Sequence, residues 1–232
     1  MKLKWLKVNF FVLSRKKLSF FLILSVLFID QFSKIWVKSN YGLNSSIGNF
    51  GFIHLDFIEN PGMAFGFSFG NLYGKYLLSL FRIAAVFAIG WYLLKLIRIK
   101  THVVFIGCVS LIFAGALGNI LDSLFYGLFF NLGTTWDPLI GGWRGYYGIA
   151  EFGLSGYAGV LEGCVVDMIH FKFNWPDWAP FGLKGEVFPP VFNVADFAIS
   201  FSVGVIIVFY KKIVRDEDVN FKALYRFGQN KD

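Results

Sequence analysis

Cysteine is scarce in this chain. Cys108 and Cys164 are the two it has among 232 residues, too few for a disulfide framework. Cys108 lies inside an apolar run, where a free thiol serves as packing. Histidine is nearly as rare: His54, His102 and His170 are scattered, and no Cys/His spacing suits zinc, so no metal and no cofactor is expected. Charge is thin too. Only 16% of residues are Asp, Glu, Lys or Arg, against roughly 25% in soluble domains, which excludes an ordinary soluble fold. No His-Glu-x-x-His or phosphate-binding Gly-x-x-x-x-Gly-Lys loop is present, which removes the metalloprotease and P-loop classes. The net charge of +7 comes without an aromatic–basic array, so no nucleic-acid partner is expected.

What fills the chain is apolar: 56% of residues are hydrophobic and 20% aromatic. Four runs are long enough to cross a bilayer, which takes about 20 residues: 18–37, 76–97, 103–121 and 194–210. The first, although preceded by Lys and Arg, has no small-x-small cleavage site and is expected to be retained as a helix. Lys and Arg collect in the N-terminal tail, in the 95–100 turn and in the C-terminal tail, while the long third connection holds just Arg144, Lys172 and Lys184. The positive-inside rule then places both termini in the cytoplasm and both long connections outside, with membrane lipids as partners of the basic ends. The expected fold is an α-helical integral membrane protein: a single four-helix domain over 1–232, with a small β-containing cradle and a long outer loop over 123–190. The alternation of Ile53, Leu55 and Phe57 suggests a strand, closed by a turn at Asn60-Pro61-Gly62.

Carboxylates stand out against this background. Asp167 sits in Val165-Val-Asp-Met-Ile169, and Asp196 in Phe192-Asn-Val-Ala-Asp-Phe197. An ionised carboxylate in hydrocarbon costs about 2.5–3.5 kcal/mol on insertion scales, so such groups mark function. Asn119-Ile-Leu-Asp122 and Asn193-Val-Ala-Asp196 share the pattern Asn-x-x-Asp, which places an amide and a carboxylate on one helix face. By topology all of these fall on the outer side. Plainer readings exist: Asn193 as an N-cap with Asp196 in the first turn, and Asp167 as a half-buried acid of an edge strand. Asp122, read as near a helix C-terminus, needs a partner. Asp30 and Lys34, spaced i, i+4, form a neutralised pair with a structural role. Arg82 is a second candidate partner for an acid. Gly62, Ala64 and Gly66 allow a close backbone approach, and Ala114-x-x-x-Gly118 a close helix contact. Two carboxylates sharing a proton suit an aspartic protease; acids binding protons or cations in a membrane transporter are the alternative. Leu161-Glu-Gly-Cys164 matches a lipobox string but lies deep in the chain, and is read as coincidence.

Five ordered blocks resemble the lipoprotein signal peptidase (signal peptidase II) family: Asp30-Gln-Phe-Ser-Lys34, Asn60-Pro-Gly-Met-Ala-Phe65, Gly115-Ala-Leu-Gly-Asn-Ile-Leu-Asp122, Val165-Val-Asp-Met-Ile169 and Phe192-Asn-Val-Ala-Asp-Phe-Ala-Ile199. The resemblance implies an intramembrane aspartic endopeptidase of the bacterial inner membrane, expected to be monomeric. Its substrate would be a prolipoprotein whose lipobox cysteine carries a diacylglyceryl group. By motif match Asp167 and Asp196 would be the catalytic dyad. Asn60, Gly62, Asn119, Asp122, Asn193 and Ala195 would be supporting or substrate-contacting positions, and Asp30 and Lys34 structural. The chain departs from the family twice. Ser123 stands where the family usually has Arg, for which Arg82 or Arg144 are the available substitutes. Residues 124–162 make a longer connection than the family's, suited to a lid or docking surface.

Overall fold

The computed structural model describes residues 14–62, 71–176, 178, 180 and 184–219; Ala64 and Gly66 lie outside the described residues. Its elements are α1 (Arg15–Asn40), β1 (Ser46–Phe50), β2 (Ile53–Asn60), α2 (Leu72–Arg98), α3 (Val103–Phe129), β3 (Thr135–Asp137), β4 (Gly142–Arg144), β5 (Val165–Phe171), β6 (Val191–Phe192), α4 (Val194–Ile213) and a short α5 (Asp216–Val219). Helices α1 to α4 are each long and apolar enough to span a membrane. α3 is the central one: α1, α2 and α4 all pack on it, and it is much the most buried of the four. Large apolar side chains elsewhere point outward, such as Phe28 and Phe32 on α1 and Phe81 and Phe87 on α2, as expected of surfaces solvated by lipid.

α3 extends to Phe129, eight residues past the end expected from hydropathy. The extra turns hold Asp122 and Ser123, which lower the local hydropathy without breaking the helix. Asp122 therefore does not sit at a helix C-terminus, and the dipole argument made for it is replaced by a direct one: it is fully buried against a lysine.

Close packing of α3 on α4 depends on Gly115. A Cβ there would stand 2.4 Å from the Ala195 carbonyl oxygen, so the helices meet backbone to backbone at a point no larger residue allows. Gly118 serves the same face, while the tightest approach is at Gly115 rather than at Ala114. Gly115→Ala is expected to cost about 1–3 kcal/mol by overpacking, read as a lowered thermal midpoint of the detergent-purified protein. An unchanged midpoint would show that the helices can separate at no cost.

At one end of the bundle lies a four-stranded antiparallel sheet in the order β1-β2-β5-β6. β5 is an inner strand, buried over most of its length, so Asp167 is not an edge-strand acid. Asp167 pairs in register with Ile58 of β2. A core forms beneath the sheet from Val37, Phe57, Tyr126, Phe130, Ala150, Val166 and Met168. Its members come from α1, the end of α3, the sheet and the long connection. That connection is thus packed structure: Ala150 and Phe130 are buried, and the hairpin β3–β4 pairs Trp136 with Trp143. Lys38 anchors it. Its ammonium pairs with Glu59, and its distances to the ring centres of Phe130, Tyr146 and Tyr157 are 4.9, 5.0 and 5.2 Å.

Candidate active site

α4 begins where β6 ends, and its first turn is built by local chemistry. Asn193 is the N-cap, its side-chain oxygen accepting the Asp196 N–H at 2.9 Å, and Asp196 returns a bond to the Asn193 N–H. This reciprocal capping box is the plain reading of Asn-x-x-Asp, and it is correct. It does not exhaust the pair. The Asn193 amide donates to Asp167 Oδ1 at 2.6 Å and to Asn119 Oδ1 at 3.1 Å, and the Asn119 amide donates to Asp196 Oδ1 at 2.8 Å. The two amides therefore link the two carboxylates in one chain, Asp167–Asn193–Asn119–Asp196. Asn60, the last residue of β2, adds a donor to Asp167 Oδ2 at 3.2 Å. Gly62, at φ 116°, donates its N–H to Asn60 Oδ1, which turns the Asn60 amide nitrogen toward Asp167.

Behind this layer is a buried ionic cluster. Lys34 Nζ has three donors and three partners: Asp30 Oδ2 at 2.8 Å, Asp122 Oδ2 at 2.9 Å and Asn119 Oδ1 at 2.8 Å. All three charged side chains are fully shielded from solvent. Gln31 donates to Asp122 Oδ1 at 2.8 Å and to Asp30 Oδ2 at 3.1 Å. Asp30 Oδ1 in turn accepts the N–H of Ala195 at 2.9 Å, holding the first turn of α4. The i, i+4 pair expected from sequence is present, and it also reaches Asp196 through Asn119.

Asp167 and Asp196 open onto one pocket of about 500 Å³ between α2, α4 and the sheet. Its walls are mostly apolar, with Phe171, Phe188, Phe192, Phe197 and Phe201 contributing, and Asn60, Asn119 and Arg82 among its polar groups. α4 has 20 residues and rises about 30 Å, the thickness of the hydrocarbon, and Asp196 lies in its first turn. Asp167, on β5 and outside the spanning helices, has its carboxyl pushed up to about 7 by burial first and by the Asp196 charge second.

Of the candidates to replace an Arg at position 123, the structure brings Arg82 to the pocket, within electrostatic reach of Asp196 and Asp167. Arg144 stays on the exposed hairpin, 3.3 Å from Asp137. Ser123 turns back onto its own helix, donating to the Asn119 carbonyl at 3.3 Å. Gln31, Lys38 and Glu59 went unassigned by sequence reasoning. For Lys38 the signal was spacing: Asp30, Lys34 and Lys38 recur every four residues on one face of α1. Gly66-Phe-Ser68-Phe-Gly70 corrects the expectation that the chain has no Gly-x-Ser-x-Gly string. It matches the string of serine hydrolases but lies outside the described residues, and among the described residues there is no α/β sheet on which that elbow forms.

Comparison with known proteins is decisive here. The family model described as Signal peptidase (SPase) II matches residues 22–213. The chain belongs to the signal peptidase II family. A lipoprotein signal peptidase from Porphyromonas gingivalis is 40% identical over 202 residues, covering 83% of this chain and 82% of the relative. One from Amoebophilus asiaticus is 33% identical over 190 residues, covering 78% and 72%. A bacterial membrane enzyme solved by the in meso method superposes with a TM-score of 0.50 at 21% identity, covering 84% of this chain and 94% of that one; it supports the fold. The protein is thus a bacterial multi-pass membrane protein of helices and a small sheet. Within the family match fall Asp167, Asp196 and all the amide and ionic-cluster residues described above.

Proposed function

We propose that this signal peptidase II family member is an aspartic endopeptidase. It removes the signal peptide from diacylglyceryl-modified prolipoproteins at the lipobox cysteine, with Asp167 and Asp196 as the dyad. The observation that carries this reading is the pocket itself: two carboxylates on separate elements, joined through two neutral amides, facing one apolar cleft at a membrane boundary. Water and a lipid-anchored peptide can meet only at such a boundary. The transport reading calls for acids near the midplane and broken helices, and α1 to α4 are continuous.

Charge logic assigns the roles. Close carboxylates resist joint ionisation, so one proton is shared at neutral pH. Asp167, held near 7, keeps it and hydrogen-bonds the scissile carbonyl oxygen. Asp196 takes a proton from water as the water oxygen bonds to the carbonyl carbon. The resulting tetrahedral adduct then collapses: the C–N bond breaks, Asp196 passes the proton it took from water to the leaving nitrogen, and Asp167 retains its own. Arg82 donates to the substrate from the α2 side, in the place of the family's usual arginine. The sheet end faces outward, both termini are cytoplasmic, and the monomer is the working unit within membrane lipids.

Four measurements bear on this. Activity should fall as pH rises through about 7, as Asp167 loses its proton. Stability should move with it. The folded carboxyl titrates above its ordinary 3.8, so the folded state binds more protons between pH ~4 and ~7 and loses stability as pH rises through that window; Asp167→Asn should flatten the slope. A pH-independent rate across 6 to 8.5, with chemistry rate-limiting, would oppose the shared proton. Arg82→Met should lower kcat/KM by about 10–100-fold without changing the thermal midpoint, the loss expected of one charge-assisted hydrogen bond. An unaltered kcat/KM would remove Arg82 from the site. Finally, hydroxylamine should trap no acyl-enzyme, and Ser68→Ala should cleave normally. Cys164 cannot be the nucleophile: it is 1% exposed, with its thiol pushed up to about 11, chiefly by burial. A trapped hydroxamate would replace the dyad by covalent chemistry.

A further inference from the structure

A second cavity lies at the opposite end of the bundle, away from the sheet. α1 and α2 each pack on α3 but scarcely on each other, which leaves a groove between them of about 530 Å³. Phe113 of α3 is its floor. Gly90 of α2 makes room for that ring, since a Cβ there would stand 2.9 Å from it. Phe20 and Ile23 of α1 face Leu94 and Ile97 of α2 across the opening. At the mouth stand two cations, Lys16 from the first turn of α1 and Arg98 from the last turn of α2. Neither pairs with an acid among the described residues, although nearby Arg15 donates to the Thr101 carbonyl at 3.0 Å and Arg215 pairs with Asp218.

We propose that this groove is a binding site for one anionic phospholipid, its phosphate between Lys16 and Arg98 and one acyl chain along Phe113. Three observations select that occupant. The groove opens on helix surfaces that are otherwise lipid-facing, since most of α1 and α2 is unburied within the protein. Its walls are apolar along the helix direction and its charged groups are confined to the end, the distribution of an amphiphile rather than of a polar solute. Its mouth is positive, and Lys17, Lys95 and Lys100 lie close in sequence to its two cations; such charge repels the basic leading segment of a signal peptide and attracts an anionic headgroup. The site is separate from the pocket at Asp167 and Asp196, so it stands or falls independently of the chemistry proposed there.

The test is native mass spectrometry of the full-length purified protein with phosphatidylglycerol or phosphatidylcholine of matched chains, and with glycerol 3-phosphate as a chainless control. One equivalent of phosphatidylglycerol should be retained, at least roughly tenfold more tightly than phosphatidylcholine. Lys16→Gln with Arg98→Gln should lose that preference, and Leu94→Trp should lose retention by filling the groove. Both variants alter exposed side chains, and unchanged thermal midpoints would confirm that they fold. Equal retention of the two lipids, or undiminished phosphatidylglycerol retention in the double variant, would overturn the proposal. Displacement of the lipid by glycerol 3-phosphate would also overturn it, by assigning the cations to free phosphate.

Discussion

Asp167→Asn and Asp196→Asn should each reduce cleavage by at least about 10³-fold while leaving the protein inserted and folded. The structure explains why these changes are separable from folding. Asp167 accepts from Asn60 and Asn193, and an asparagine oxygen can retain one of those bonds. Asp196 lies within an Asn193–Asp196 capping box, and asparagine at the third helical position still accepts there. What each variant loses is the titratable proton. The two should also differ in pH behaviour. In Asp196→Asn, Asp167 no longer faces a neighbouring negative charge, so its carboxyl should titrate lower although burial still holds it up. Rates for lipidated substrate, alongside thermal midpoints of both variants, check this. Full activity in either variant would remove that residue from the dyad.

Lys34→Met should be the most damaging single change outside the dyad, costing about 3–5 kcal/mol. Lys34 neutralises Asp30 and Asp122 together at 2.8 and 2.9 Å, and no water reaches any of the three. Methionine fills the volume but leaves two buried carboxylates facing each other. Asp30→Asn should be milder, about 1–3 kcal/mol, because Lys34 keeps Asp122 and the asparagine oxygen can still accept from the Ala195 N–H. Both should lower the yield of folded protein. Lys34→Met should in addition depress kcat in whatever fraction folds, since Lys34 holds Asn119, which donates to Asp196. Measured thermal midpoints should fall in the order wild type, Asp30→Asn, Lys34→Met. A Lys34→Met protein as stable as wild type would show that the cluster is hydrated and of little structural weight.

Much of this was legible in the sequence because membrane insertion makes polar residues costly. Four apolar runs located four helices, and the acids and amides in apolar surroundings pointed to the candidate site. Hydropathy fails where a helix leaves the hydrocarbon. α3 continues eight residues beyond its apolar run because helical hydrogen bonding does not require apolar side chains. The same blindness hid the role of Asp122, whose partner, Lys34, lies 88 positions earlier on another helix. The Asn-x-x-Asp spacing is ambiguous by nature: at residue 193 it is a cap and a bridge to Asp167 at once. The long connection was expected as a lid or docking surface. Composition could not show that it packs around Lys38, because a cation enclosed by Phe130, Tyr146 and Tyr157 is a long-range arrangement with no local signature.

The central claim is cleavage by the Asp167–Asp196 pair of a substrate presented from the bilayer. The direct measurement is incubation of the purified protein with one prolipoprotein in two forms, diacylglyceryl-modified and unmodified, with Asp196→Asn run in parallel. The account predicts cleavage of the modified form alone, immediately before the lipid-bearing cysteine, and none by the variant. Equal cleavage of the two forms, or cleavage that survives Asp196→Asn, would contradict it.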